Sequence, residues 1–310
     1  MNILKGFFTY PPLGMNFRNY LIRSLNSKTS LQLAKDKVSF KHVLEENGIP
    51  TPRTYHEIHD FSDMKLISWL PDEFVIKPGR GLGGNGIILL KRKNGLFHNP
   101  SGDRYSVADV KRHIRKILDG DYSGYIEHDA AIIEERIFPS EQLQFKNAIG
   151  LPDIRIFCHN SKPVMGMMRY PTLKSKGRSN LALGALGIGI EIEQGTITHI
   201  HSKKANSEYL PEYLGIRPSF VMPQWEETKM LALKASRLCR LGLAGVDITL
   251  DVNDKLMVLE INGRPGLEIQ NINEISLLPT VNGHSEMRPS LTSEMAPAGG
   301  DDNGPGLRRL

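Results

Sequence analysis

A chain of 310 residues with 40% hydrophobic and 24% charged residues holds one large or two ordinary soluble domains. Its net charge of +5 is spread along the chain, and the one dense basic run, Lys91-Arg92-Lys93, reads better as the solvated end of a strand than as a nucleic-acid contact. Two cysteines, Cys158 and Cys239, exclude a disulfide framework, and no apolar run is long enough to span a bilayer or to form a signal-peptide core, so a reducing cytoplasm is expected.

Residues 14–35 carry short helical patches with Arg18, Arg23, Lys28 and Lys35, whose role the pattern does not define. Asp36 reads as a helix N-cap followed by the apolar stripe Phe40, Val43 and Leu44, with Gly48 as the stop. Ile49-Pro50-Thr51-Pro52 is an extended connector, because a residue before proline is pushed out of the helical region.

The stretch FVIKPGRGLGGNGIILL predicts two strands, Phe74–Ile76 and Ile87–Leu90, joined by a loop containing Gly79, Gly81, Gly83, Gly84 and Gly86. Such a loop brings backbone N–H groups close to an anion because no side chain intervenes. The spacing Gly81-Gly83-Gly86 is that of a dinucleotide fingerprint, but a strand follows where that motif needs a helix. No Gly-Lys-Ser/Thr closes a Walker loop, and no kinase catalytic loop follows. The bland alternative is a mobile surface hairpin, which would leave Lys77 on a buried strand without a reason.

Ser106 and Asp109 form a capping box ahead of a helix that buries Val110, Ile114, Ile117 and Leu118. Ala130–Glu134 is a short buried strand, and residues 142–150 read as loop or edge. DIRIFCHNSKPVMGMMRYPT is a two-strand unit turning at Asn160-Ser161. Arg155 and Arg169 lie on its apolar strands; each alone could be a structural ion-pair partner, but together they suggest anion handling. Residues 174–179 form a basic, mobile loop, and Asn180 opens another strand region. Pro223 starts an amphipathic helix with Leu231, Ala235, Leu238 and Cys239 on one face, stopped by Gly242.

The stretch GVDITLDVNDKLMVLEINGRPG then predicts a hairpin turning at Asn253-Asp254. Glu260 and Asn262 share a strand face, and Asp247 on the paired strand can face them. Two carboxylates and an amide oxygen on rigid strands are hard donors suited to Mg²⁺. After Leu278 the chain loses large apolar residues and reads as a disordered tail.

Five stretches together resemble the ATP-grasp superfamily, in its ribosomal-protein-S6-modification and alpha-L-glutamate ligase-like branch. They are LGMNFRN, DKVSFKHVLEENGIPTP, FVIKPGRGLGGNGI, PDIRIFCHNSKPVMGMMRYPT, and GVDITL with VLEINGRPGL. The resemblance implies an α+β fold of two subdomains clamping ATP, with a short helical N-terminal segment. The implied layout is that segment at 1–35, an N-terminal subdomain with the glycine-rich flap at 36–135, a C-terminal subdomain with the metal site at 136–280, and the tail at 281–310.

It also implies roles. Lys37 and Lys77 would contact ATP phosphates under the flap of Gly79, Arg80, Gly81, Gly83, Gly84 and Gly86. Glu134 would accept from the adenine amino group, Glu135 and Ile137 belong to the hinge after it, and Glu141 matches the ribose carboxylate more weakly. Asp247, Glu260 and Asn262 would hold two Mg²⁺, with Mn²⁺ able to substitute. Arg155 and Arg169 would hold the carboxylate and its acyl phosphate, with Asp153 and Asn180 nearby on the substrate.

The implied activity is an ATP-dependent, ADP-forming carboxylate–amine ligase making an amide or peptide bond, with glutamate-like ligation as one form. Its partners would be ATP, a small-molecule or peptide carboxylate and an amine, with no membrane; self-association stays open. Many members carry a full domain ahead of the Asp-Lys motif, whereas 35 residues precede Asp36 here, so a glutamate specificity does not carry over. A phosphotransferase and a non-catalytic nucleotide-binding protein remain as alternatives.

Overall fold

The computed structural model describes residues 11–81, 83–124, 128–146, 149–201, 214–217 and 219–281. The tail expected at 281–310 lies outside them beyond its first residue. The described chain builds two six-stranded sheets, antiparallel at every pairing, each covered by helices. This is the expected α+β class. No helix among the described residues is long and apolar enough to cross a membrane.

The small lobe holds β1 (Thr54–Ile58), β2 (Glu73–Pro78), β3 (Ile88–Lys93), β4 (Leu96–His98), β5 (Arg104–Tyr105) and β6 (Ala131–Glu135), in the order β1-β6-β2-β3-β4-β5. Helix α4 (Val107–Leu118) lies on it, opened by the Ser106–Asp109 capping box, and buries Val110, Ile114, Ile117 and Leu118 as its spacing predicts. Phe74, Ile76, Leu90, Phe97 and Ile133 complete this core.

The large lobe holds β7 (Asp153–His159), β8 (Lys162–Tyr170), β9 (Leu186–Ile190), β10 (Ile197–His201), β11 (Leu243–Leu250) and β12 (Leu256–Asn262), ordered β10-β9-β8-β7-β11-β12. Asn160 and Ser161 both take positive φ at the β7–β8 turn, which matches the twist of a tight hairpin. Helix α5 (Trp225–Leu238) packs on this sheet through Trp225, Thr228, Ala232, Ala235 and Ser236. The face expected from Leu231 and Leu238 is therefore shifted. Small residues let the helix approach closely, while both leucines stay only partly buried.

Three helices precede the small lobe: α1 (Met15–Leu25), α2 (Lys28–Lys35) and α3 (Lys37–Glu46). Asp36 caps α3 through Ser39 N–H at 3.1 Å, as expected. All three pack on the large lobe. Leu21 and Ile22 join Phe157, Met165 and Leu243, while Ala34, Phe40, Leu44 and Ile49 enter the main core beside Ile156 and Val258. The strands of the small lobe begin at Thr54, and the apolar faces of the three helices before it join the cores of the large lobe. The proline connector is held against β12, where Val258 N–H donates to Pro50 O at 2.9 Å.

Asn26 joins the segments by bonding both backbone groups of Leu243, at 2.8 and 3.0 Å, and Gly263 O at 3.0 Å. At the other end, helix α6 (Glu268–Asn273) carries Gln270, whose amide exchanges two 2.9 Å bonds with the backbone of Leu13.

Candidate functional site

The glycine loop leaves β2 after Lys77-Pro78 and folds back toward the large lobe. Gly83, Gly84 and Gly86 have φ of +65°, +77° and +77°, so other residues would be strained there. A Cβ on Gly86 would sit 2.6 Å from the Tyr122 ring. Four residues hold the loop down. Lys37 Nζ donates to Gly81 O at 2.9 Å, Asn180 Nδ2 to Gly83 O at 2.7 Å, and His113 Nε2 meets Gly86 O at 2.9 Å. Arg80 pairs with Asp36 at 3.0 Å.

Beneath the loop lies a buried Lys–Glu–Lys triad. Glu134 on β6 takes Lys77 Nζ on one oxygen and Lys41 Nζ on the other, both at 2.7 Å, and Lys41 also donates to Pro52 O at 2.6 Å. Burial would raise the Glu134 carboxyl, but Lys77 and Lys41 outweigh it and hold it below the usual range. Burial pulls Lys77 down, and Glu134 only partly restores it. Lys41 is 2% exposed, and the motif reading passed over it. On α3, Lys37 and Lys41 are one helical turn apart and face the small lobe, while Phe40 and Leu44 face the large core.

Across the large sheet, Asp247 on β11 aligns with Arg155 on β7 and with Glu260 on β12, and Asp153 on β7 aligns with Arg169 on β8. Arg155 grips Asp247 with two 2.7 Å bonds. Arg169 grips Asp153 at 2.6 and 2.7 Å and reaches Asp247 at 2.7 Å. Burial would raise Asp247, but the two guanidinium groups hold it low. Asp153 goes the other way, pushed up to about 6 by burial and by the charge of Asp247 against the pull of Arg169. The two acids and two arginines cancel in charge. The arginines expected to handle an anion are therefore already occupied by carboxylates of the chain itself.

Glu260 is freer. Its side chain is 37% exposed and lies 3.5 Å from Lys37 Nζ. Asn262 turns its amide nitrogen toward Asp247 at 3.4 Å. Two cavities meet here. One of about 40 Å³ is lined by Lys37, Lys77, Gly81, Gly84 and Glu260. The other, of about 330 Å³, is lined by Lys35, Lys37, Gly81, Glu260, Asn262 and Arg264. Lys37, Gly81 and Glu260 form the wall common to both.

The donor set fits a hard cation in part. Glu260 and Asn262 offer oxygen chemistry suited to Mg²⁺ at this wall, whereas Asp247 would have to exchange a guanidinium for the ion.

Of the remaining expected residues, Glu135 exchanges bonds with the backbone of Arg53, Ile137 is half-buried after β6, and Glu141 is exposed in a short turn; none lines either cavity. Asn180 caps a turn at Ala182 N–H rather than opening a strand. The loop expected to be mobile at 174–179 is pinned by Thr172–Ser175 bonds and by Ser179 on Leu151 O.

The chain is 23% identical over 280 residues to the tetrahydromethanopterin:alpha-L-glutamate ligase of Methanocaldococcus jannaschii, covering 88% of this chain and 72% of that protein. It is 24% identical to a probable alpha-L-glutamate ligase of Histophilus somni, covering 82% of this chain and 64% of that one. Among solved structures, a D-alanine–D-alanine ligase from Bacillus anthracis aligns with a TM-score of 0.47 at 15% identity, over 83% of this chain and 63% of that one. The model of the sugar-transfer associated ATP-grasp family matches residues 16–284, which is most of the sequence, and the chain belongs to that family.

Proposed function

We propose that this protein is an ATP-dependent ligase that joins a carboxylate to an amine through an acyl phosphate. The observation that carries the reading is the common wall of Lys37, Gly81 and Glu260. A triphosphate entering under the glycine loop ends at that wall, and a second substrate in the larger cavity reaches it from the other side. Lys37 and Lys77 neutralise the phosphates. Glu260 and Asn262 would hold Mg²⁺, which would supply Lewis-acid stabilisation of a transferring phosphoryl group.

A substrate carboxylate oxygen attacks the γ-phosphorus, the bond to the β–γ bridging oxygen breaks, and ADP leaves. The amine nitrogen then attacks the acyl carbon, the bond to phosphate breaks, and the amine's proton passes to solvent. The oxyanion formed in between needs a preorganised cation. Because the charges of Arg155 and Arg169 are cancelled by Asp153 and Asp247, Lys37 is the first choice and Arg169 the second. The relatives' names make glutamate a candidate amine.

The test incubates the protein with ATP, Mg²⁺ and pools of carboxylates and amines, reading ADP and product masses together. Substrate-dependent ADP with a product lighter than its parts by one water is expected. A phosphorylated product without that loss would replace the ligase by a phosphotransferase.

A further inference from the structure

Two cations line the larger cavity and not the smaller one. Lys35 closes α2 and Arg264 follows β12, with Leu31, Ala34 and Ile261 as an apolar wall beside them. Behind Arg264 stands Arg18 of α1. Its Nη2 donates to Arg264 O at 2.8 Å, its Nη1 to Met15 Sδ at 3.5 Å, and its Nε is buried with no partner. Burial and the charge of Arg264 both pull the Arg18 pKa down. The ion pairs among the described residues leave out Arg18, Lys35 and Arg264.

Glu260 lines the same cavity but is paired with Lys37, so Lys35 and Arg264 stand there without an ion-pair partner among the described residues, and an anion between them relieves their repulsion. Guanidinium groups in particular grip carboxylate or phosphate through paired bonds. An ammonium group would be repelled, so this cavity suits the carboxylate substrate rather than the amine.

We propose that Arg264 and Lys35, with Arg18 holding the Arg264 backbone in place, bind a second anionic group of the carboxylate substrate, a carboxylate or a phosphate, while its reacting carboxylate lies at Glu260 and Lys37. The substrate is then a dianion or more, with a short apolar or sugar-sized body against Leu31 and Ile261. This assignment rests on the ligase reading for the reacting end alone.

Calorimetric titration with acetate, glutarate and phosphonoacetate tests it, once with Mg²⁺ and a non-hydrolysable ATP analogue saturating and once without. Glutarate or phosphonoacetate should bind at least about tenfold more tightly than acetate, the better of the two identifying the second group. Arg264→Gln and Arg18→Gln should each bring that affinity down to the acetate level and leave nucleotide affinity unchanged. Arg264 is exposed, so its variant keeps the test valid if Arg18→Gln fails to fold. Equal binding of the three anions, or variants that keep the preference, would overturn the proposal. Failure of the wild-type protein to bind the nucleotide analogue would count against the ligase reading, and the titration without nucleotide would still decide the anion site.

Discussion

Asn180 donates its side-chain N–H to the carbonyl of Gly83 at 2.7 Å, so the tip of the small lobe's glycine loop is tied to the large lobe. The cavity beneath is about 40 Å³, below the roughly 300 Å³ of an ordinary ligand site, so the proposed entry of ATP under the loop requires this tie to open. In Asn180→Ala one exposed hydrogen bond is lost, worth about 1 kcal/mol. Proteolysis of the loop should accelerate about fivefold, and nucleotide association should quicken with little change in melting temperature. An unchanged cleavage rate would show that the tie does not govern opening.

The buried triad predicts an order of stabilities. Lys41→Met leaves Glu134 paired with Lys77 and should cost about 2 kcal/mol, whereas Glu134→Gln strands two buried ammonium groups and should cost about 4 kcal/mol. Denaturant melts of the two variants give the comparison, and the reverse order would mean that Lys41 dominates.

Glu260→Gln separates chemistry from structure. The side chain is partly exposed and its ion pair to Lys37 spans 3.5 Å, so stability should change by under about 1 kcal/mol. Turnover should fall roughly a thousandfold, equivalent to about 4 kcal/mol of lost phosphoryl stabilisation. A melting curve beside an ADP-release assay reads both, and a stable, fully active variant would remove Glu260 from the reaction.

Asp153 predicts a pH dependence of definite sign. Its folded pKa of about 6 lies above that of an unfolded aspartate, so the native state holds the proton longer. Its contribution to stability therefore falls as pH rises from about 4 to about 6 and is constant beyond. Asp153→Asn removes that slope. The difference in unfolding free energy between variant and wild type should grow in the variant's favour across this window, by about 3 kcal/mol. A flat difference would mean that Arg169 keeps Asp153 fully ionised.

Local chemistry was readable where a few neighbouring residues decide it. The capping box at Ser106, the Asn160-Ser161 turn, the glycine loop between two strands and the Asn253-Asp254 hairpin all depend on contacts within about a dozen residues, and all stand in the structure. The engagement of Asp247 by Arg155 and Arg169 depends on register between strands 92 and 78 residues apart, which no pattern of spacing reveals. Lys41 was passed over because a lysine on a half-apolar helix reads as solvated, and only the arrival of β6 buries it. The docking of α1 and α2 was hidden for a related reason. Short helices owe their stability to the surface they land on, and that surface comes from residues more than a hundred positions later, from Phe157 to Leu277.

The clasp between Leu13 and Gln270 has a consequence for synthesis. The cores of the large lobe draw on described residues within 13–49 and within 143–277, and the core of the small lobe falls between these two groups in the sequence. A nascent chain therefore emerges with α1 to α3 carrying exposed apolar faces and no sheet to cover them. The small lobe can condense first, since its core is drawn wholly from residues 58–133. The surrounding lobe must wait for β11, β12 and α6, nearly the last described elements to appear, which makes it the slower and more aggregation-exposed partner in folding.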